Sequence, residues 1–101
     1  MIRPKIVELK AYEITYFSQY DEEAFFEWLT KIVCVESYVG RGNILFIKVN
    51  YDVLDEDGLR DLVALFYRYN LDMHQLKLFD HERFSEWFRD PKKYWFNEVF
   101  G

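Results

Sequence analysis

The chain has 101 residues, among them three Trp, eight Tyr and ten Phe, and a formal net charge of −5. That length holds a single domain, residues 1–101, and a composition half hydrophobic excludes a disordered chain. The negative balance with scattered cations excludes nucleic acid as a direct partner, since phosphate binding needs a basic stripe.

Residues 6–12 alternate, with Val7, Leu9 and Ala11 on one face, which predicts a strand with one buried side. The alternation can extend through Ile14 and Tyr16. Ser18 and Asp21 then supply N-cap chemistry, either as Ser-x-x-Asp or with Asp21 as the cap itself. The helix that follows, residues 22–31, sets Phe25, Trp28, Leu29 and Ile32 at helical spacing. Phe26 and Val33 widen that stripe, as suits a helix lying across a sheet.

Residues 33–39 are rich in β-branched side chains and read as a second strand. Gly40-Arg41-Gly42-Asn43 tolerates the positive φ of a tight reversal, and residues 44–49 form the third strand. Strands two and three are expected as an antiparallel hairpin whose arms are buried on much of both faces. Asp55 caps a helix over residues 56–69, with Leu59, Leu62, Val63, Phe66 and Tyr69 as its core stripe and Tyr67 turned away.

Residues 71–79 allow two readings. As a fourth strand, with Leu76 and Leu78 alternating, they complete a ferredoxin-like β-α-β-β-α-β fold. As a short helix capped by Asp72, with Gln75 in a capping box, they turn Met73, Leu76 and Phe79 inward. The helical reading is preferred. It gives an α+β fold: a small antiparallel sheet in β-α-β-β-α order, packed with helices, whose open side an aromatic helical tail closes. Phe84, Trp87 and Phe88 fit one more helix, ended by Asp90-Pro91. A tail carrying Tyr94, Trp95, Phe96 and Phe100 should dock on the body or on a partner.

Catalytic and cofactor motifs are missing. Ser18, Ser37 and Ser85 have no base at suggestive spacing, and Gly40-x-Gly42 lacks the residues that cradle phosphate. His74 and His81 would stand about 10 Å apart on a continuous helix, beyond joint ligation of a metal, and read as surface histidines. Carboxylate pairs sit at helix starts rather than in a pocket, and so short a chain spares little core for one. No enzyme, cofactor or metal is expected. Cys34 lies in an apolar run and reads as a buried hydrophobe. No segment approaches the about 20 apolar residues of a membrane span, and residues 1–5 show no signal-peptide pattern. A soluble cytoplasmic protein is expected.

The rings outnumber what a core of this size absorbs, because a small domain buries only roughly 60–65% of its unfolded surface. Rings framed by carboxylates at a surface suit a basic macromolecular partner.

Two segments carry a resemblance. One is Leu65-Phe66-Tyr67-Arg68-Tyr69-Asn70 with Leu71-Asp72-Met73-x-Gln75-Leu76. The other is Trp87-Phe88-Arg89-Asp90-Pro91-Lys92-Lys93-Tyr94-Trp95-Phe96 with Val99-Phe100-Gly101. Both resemble the small immunity proteins that accompany bacterial contact-dependent growth inhibition toxins, over roughly the C-terminal half of the chain. The resemblance implies a cytoplasmic antidote that binds the C-terminal toxin domain of its own system. Many such toxins are nucleases with basic clefts, which an acidic, Tyr-rich inhibitor would block.

The first surface expected to meet that partner comprises Tyr51, Asp52, Asp55, Glu56, Asp57 and Asp61, with Tyr67 as a ring anchor. The second comprises Tyr20, Asp21, Glu22, Glu23 and Glu27. Carboxylates at a helix start also serve the helix dipole, and that plain role competes at each position. The alternative function is a structural or adaptor subunit whose tail docks on a permanent partner, and after it a small dimeric enzyme whose cleft forms between two subunits.

Overall fold

A computed structural model describes residues 6–101; the signal-peptide expectation for residues 1–5 lies outside them. Alternation sets Leu9 and Ala11 of β1 (Ile6–Tyr12) on one face with Leu45, Ile47 and Val49 of β3 (Ile44–Asn50). All five side chains are buried. β3 is the centre of a three-stranded antiparallel sheet, with β1 on one side and β2 (Val35–Arg41) on the other. Phe25 and Leu29 of α1 (Gln19–Lys31) join the same core, as do Leu59, Leu62, Val63, Leu65 and Phe66 of α2 (Glu56–Arg68). The order β-α-β-β-α and the antiparallel hairpin expected from the sequence are those observed. Gly42, at φ +62°, takes the reversal between β2 and β3, where a side chain would be strained.

The ferredoxin-like alternative is overturned, because residues 71–79 form no strand. His74–Phe79 is a 3-10 helix that buries Leu76 and Phe79, with Met73 buried just before it. Asp72 Oδ1 accepts from the His74 N–H at 3.0 Å and opens this turn. Gln75 is committed elsewhere. Its Oε1 accepts from the Lys10 N–H at 2.8 Å, and its Nε2 donates at 2.8 Å to both the Lys10 and Asp72 carbonyls. A side-chain amide thus stands in for the missing neighbour on the free edge of β1, the kind of protection an edge strand requires.

Several boundaries differ from expectation, each for a local reason. β1 does not continue through Ile14 and Tyr16, because Glu13 takes a left-handed conformation at φ 45°. Glu13 donates its N–H to the Asn43 carbonyl at 2.8 Å and accepts from Asn43 Nδ2 at 2.8 Å. α1 begins at Gln19 rather than near residue 22, with Ser18 as the cap: its Oγ accepts from the Asp21 N–H at 3.1 Å. Val33 belongs to neither helix nor strand and is 84% exposed in the turn between them. β2 starts two residues later and carries an irregularity between Val35 and Ser37.

The hairpin arms are not both buried. β2 is exposed along nearly its whole length, since it lies at the edge and the helices cover the sheet from one side. Trp28 and Tyr69 are half-buried rather than core residues.

The C-terminal tail docks on the body, although not across the open side of the sheet. α4 (Phe96–Phe100) packs against the 3-10 helix, and Phe88 of α3 (Ser85–Phe88) meets Phe100 of α4 edge-on at 5.1 Å, with Phe88, Trp95 and Val99 buried. Trp95 Nε1 donates to the Phe88 carbonyl at 2.9 Å, satisfying the indole as it is buried. Arg89 holds the end down, 2.7 Å from Asp80 and 5.1 Å over the Phe100 ring. The outer face of the sheet stays open, with Glu8, Lys10, Tyr12, Arg41 and Lys48 exposed. Its one phenylalanine, Phe46, is half-buried with Lys10 and Arg41 each 6.0 Å from the ring centre. Ile6, Tyr12 and Val39 are exposed on the same face, and the tail covers none of them.

Replacing Gln75 by Ala should strip the Lys10 backbone of both partners, at a cost of about 1–2 kcal/mol. Urea unfolding should report that loss, and amide exchange at Lys10 should accelerate while exchange in α2 stays slow.

Candidate functional site

The two acidic openings lie at opposite ends of the helical layer. The Tyr69 hydroxyl, just past the end of α2, donates at 2.9 Å to Asp21 Oδ1 in the first turn of α1. A Cβ added at Gly58, in the first turn of α2, would lie 3.3 Å from the Sγ of Cys34, beyond the end of α1. The helices therefore run antiparallel. A helix of this length spans about 20 Å, so the two expected surfaces are separate rather than one continuous face.

At the α2 opening most groups are engaged within the chain. Asp55 caps the helix, its Oδ1 accepting from the Gly58 N–H at 2.7 Å. Glu56 pairs with Arg60 one turn on, at 3.1 Å. Tyr51 is half-buried, with the Arg83 guanidinium 4.9 Å from its ring and the His81 ring packed edge-on at 5.8 Å. His81 is accordingly half-buried and not the surface histidine expected, whereas His74 is exposed. The Asp52 N–H donates to Asn50 Oδ1 at 2.9 Å. Asp57 and Asp61 are exposed and make no ion pair among the described residues. Tyr67 does not join this opening: it lies 12 residues after Asp55, about 18 Å along the axis. There it packs edge-on to Tyr94 at 4.8 Å, each ring 51% exposed.

The α1 opening is arranged differently. Phe17 and Tyr20, 90% and 83% exposed, flank the capping turn. Glu22 and Glu23 stand beside them, exposed and without an ion pair among the described residues. Glu27 points along the helix to Lys31 at 3.0 Å. Asp21 is fixed in place, with Oδ2 accepting from the Phe17 N–H at 2.9 Å and Oδ1 from Tyr69. Next to it lies a cleft of about 610 Å³ whose walls include Tyr12, Glu13, Phe17, Asp21, Arg68 and Tyr69.

At this corner the two most exposed rings among the described residues, Phe17 and Tyr20, coincide with carboxylates that make no ion pair. The sequence reading named Tyr20 and the carboxylates but missed Phe17, Tyr12 and Glu13. One signal could have found Phe17. An apolar residue just before an N-cap normally packs on the fourth helical residue, and here that residue is Glu22. With no apolar partner in reach, the phenylalanine is left in solvent.

Burial is the first cause of the raised phenols, and the carboxylates of the corner add to it at Tyr16 and Tyr69. Burial, reinforced by Glu22, Tyr69 and Asp21, pushes the Tyr16 hydroxyl up to about 12. Tyr69 is also raised, by burial and then by its hydrogen bond to Asp21, which favours the protonated phenol. Tyr94 is raised by burial and by Tyr67, against the opposing effect of Arg60. At the other end Cys34 is pushed up to about 11, first by burial, with Asp55 and Asp61 adding to it. No group of His, Cys, Asp and Glu among the described residues could hold a metal ion. No helix among them is long and apolar enough to cross a membrane.

The chain matches no protein-family model, no curated protein and no solved structure.

The raised groups fix a pH dependence. The native state holds the Cys34 and Tyr16 protons more tightly than the unfolded chain, whose values lie near 9.0 and 10.0. Their contribution to stability is therefore complete below pH 9 and is lost as pH rises toward 12. Urea midpoints measured across that range should fall steadily, and Cys34→Ala should flatten the lower part of the slope.

Proposed function

We propose that this chain is an immunity-type inhibitor: a cytoplasmic protein that binds a cognate bacterial toxin domain, a nuclease with a basic active-site cleft, and occludes that cleft. The observation that carries the reading is the α1 corner, where Phe17 and Tyr20 stand in solvent beside Glu22 and Glu23. Large apolar side chains left uncovered next to like charges mark a surface that a partner covers. Aromatic anchors and complementary charge divide the work in such an interface. Rings in desolvated pockets slow dissociation, while the carboxylates steer a cationic partner into encounter.

The resemblance in the C-terminal half supports the word toxin; charge and rings alone support only a basic protein. The adaptor alternative rested on a tail that seeks a partner, and that tail is docked on its own body through Trp95 and Val99. Of the two expected surfaces, the α1 corner is favoured, because its rings Phe17 and Tyr20 stand in solvent, whereas Tyr51 at the α2 opening is half-buried against Arg83 and His81.

The test uses the toxin domain encoded beside this gene. The full chain should co-purify with that domain and protect cells that express it. Affinity should weaken as salt rises from about 0.05 to 0.5 M, where exposed charges are screened. Reversing Glu22 and Glu23 together to Lys should slow association about tenfold. Phe17→Ala should speed dissociation, with a loss of about 2 kcal/mol. Absence of protection, or binding indifferent to salt and to all three substitutions, would sink the proposal.

A further inference from the structure

The cleft beside the α1 corner has a composition the inhibitor reading leaves unused. Its two acidic walls are immobilised. Asp21 is held by the Tyr69 hydroxyl and the Phe17 N–H, and Glu13 by the Asn43 side chain and backbone. Each carboxylate can accept about four hydrogen bonds, so both retain capacity beyond these contacts. Tyr12 and Phe17, both exposed, supply aromatic surface between them. Glu13, at φ 45°, and Asn70, at φ 56°, both line this cleft.

We infer that this cleft receives one basic side chain of the partner, an arginine or lysine. Its aliphatic stem lies along the Phe17 and Tyr12 rings, and its cationic head is bound between Glu13 and Asp21. The inference rests on the inhibitor reading for the identity of the partner, although the cleft's chemistry does not depend on it. A cation is the occupant that fits. Fixed carboxylates pair with it without an ordering cost, and aromatic faces attract it. A cleft of about 610 Å³ admits such a side chain with room for water. Arg68, also on the wall, opposes the entering charge and sets a limit on affinity.

The probes are capped Gly-Arg-Gly, Gly-Lys-Gly, Gly-norleucine-Gly and Gly-Glu-Gly peptides, titrated into the isotope-labelled full chain to about 10 mM and followed by backbone amide shifts. The inference expects saturable shifts at Thr15, Phe17, Asp21 and Asn70 with the arginine or lysine peptide and none with norleucine. Glu13→Gln keeps an acceptor for Asn43 and should weaken the binding about fivefold, while Arg68→Gln should tighten it. No saturable shift with either basic peptide overturns the inference. So do equal shifts with norleucine, which describe an apolar cleft, or preference for the glutamate peptide, which assigns the cleft to Arg68 and an anion. The two proposals fail separately. Peptide binding without capture of the toxin domain leaves the cleft assignment and removes the inhibitor reading. Capture that Glu13→Gln leaves unchanged, with no peptide binding, does the reverse.

Discussion

A three-stranded sheet with one dry face constrains everything else in this molecule. Leu9, Ala11, Leu45, Ile47 and Val49 have only one side on which to be buried, so both long helices must lie on that side. Two amphipathic helices then turn their charged faces outward together, and the sheet's other face is left to Lys10, Arg41 and Lys48 against Glu8. A chain of net charge −5 is thereby polarised, with its acidity displaced to the helical layer. The aromatic surplus follows the same division. Phe25, Phe66, Phe79, Phe84, Phe88 and Trp95 fill the core, whereas every exposed ring but Phe17 is a tyrosine. A tyrosine can face water through its hydroxyl; a phenylalanine cannot, and that is why the one exception is informative.

Within the acidic layer, position decides which carboxylates are free to act. Asp55 holds a backbone N–H at its helix start and would leave it unpaired if it turned to a partner, whereas Asp21 can keep the Phe17 N–H and the Tyr69 hydroxyl while accepting from a further donor. Glu27 and Glu56 are bound to cations one turn away, in exposed pairs worth only about 0.3–0.5 kcal/mol, which a stronger partner can displace. Glu22, Glu23, Asp57 and Asp61 carry no such commitment among the described residues. Charge that holds the fold and charge available for recognition are interleaved along the same two helices.

Much of the fold was legible because its signals are periodic. The alternation of residues 6–12, the stripe from Leu59 to Phe66 and the glycine at position 42 each state a local geometry with a known cause. The capping box expected of Asp72 and Gln75 is not formed: Met73 is the cap, and Gln75 pairs with Lys10, 65 residues away, which leaves no trace in local sequence. Val33 misled because β-branching marks a preference for strand and says nothing of where the helix before it stops. The exposure of β2 could not be read either, since its apolar content suits a central strand and only the observed strand order places it at the edge. The separation of the two acidic openings is a tertiary fact. It follows from the antiparallel crossing that Tyr69 and Gly58 reveal, and in one dimension the two clusters look alike.

What distinguishes the α1 corner is rigidity rather than charge density. The same Asp21 carboxylate that joins α1 to the end of α2 also fixes the Phe17 backbone, so an exposed ring is presented from an anchored turn. A ring on a mobile loop must be ordered on binding, at a cost comparable to what its contacts return; a ring on an anchored turn forgoes only side-chain rotamers. Desolvation sets the complementary requirement. Carboxylates already half-satisfied by the chain, such as Asp21 and Glu13, lose less on being covered than fully hydrated ones, because part of their hydration has been replaced by fixed donors. The corner thus combines an apolar anchor that is held still with acids whose burial is partly compensated, and that combination is what an interface with a cationic protein demands.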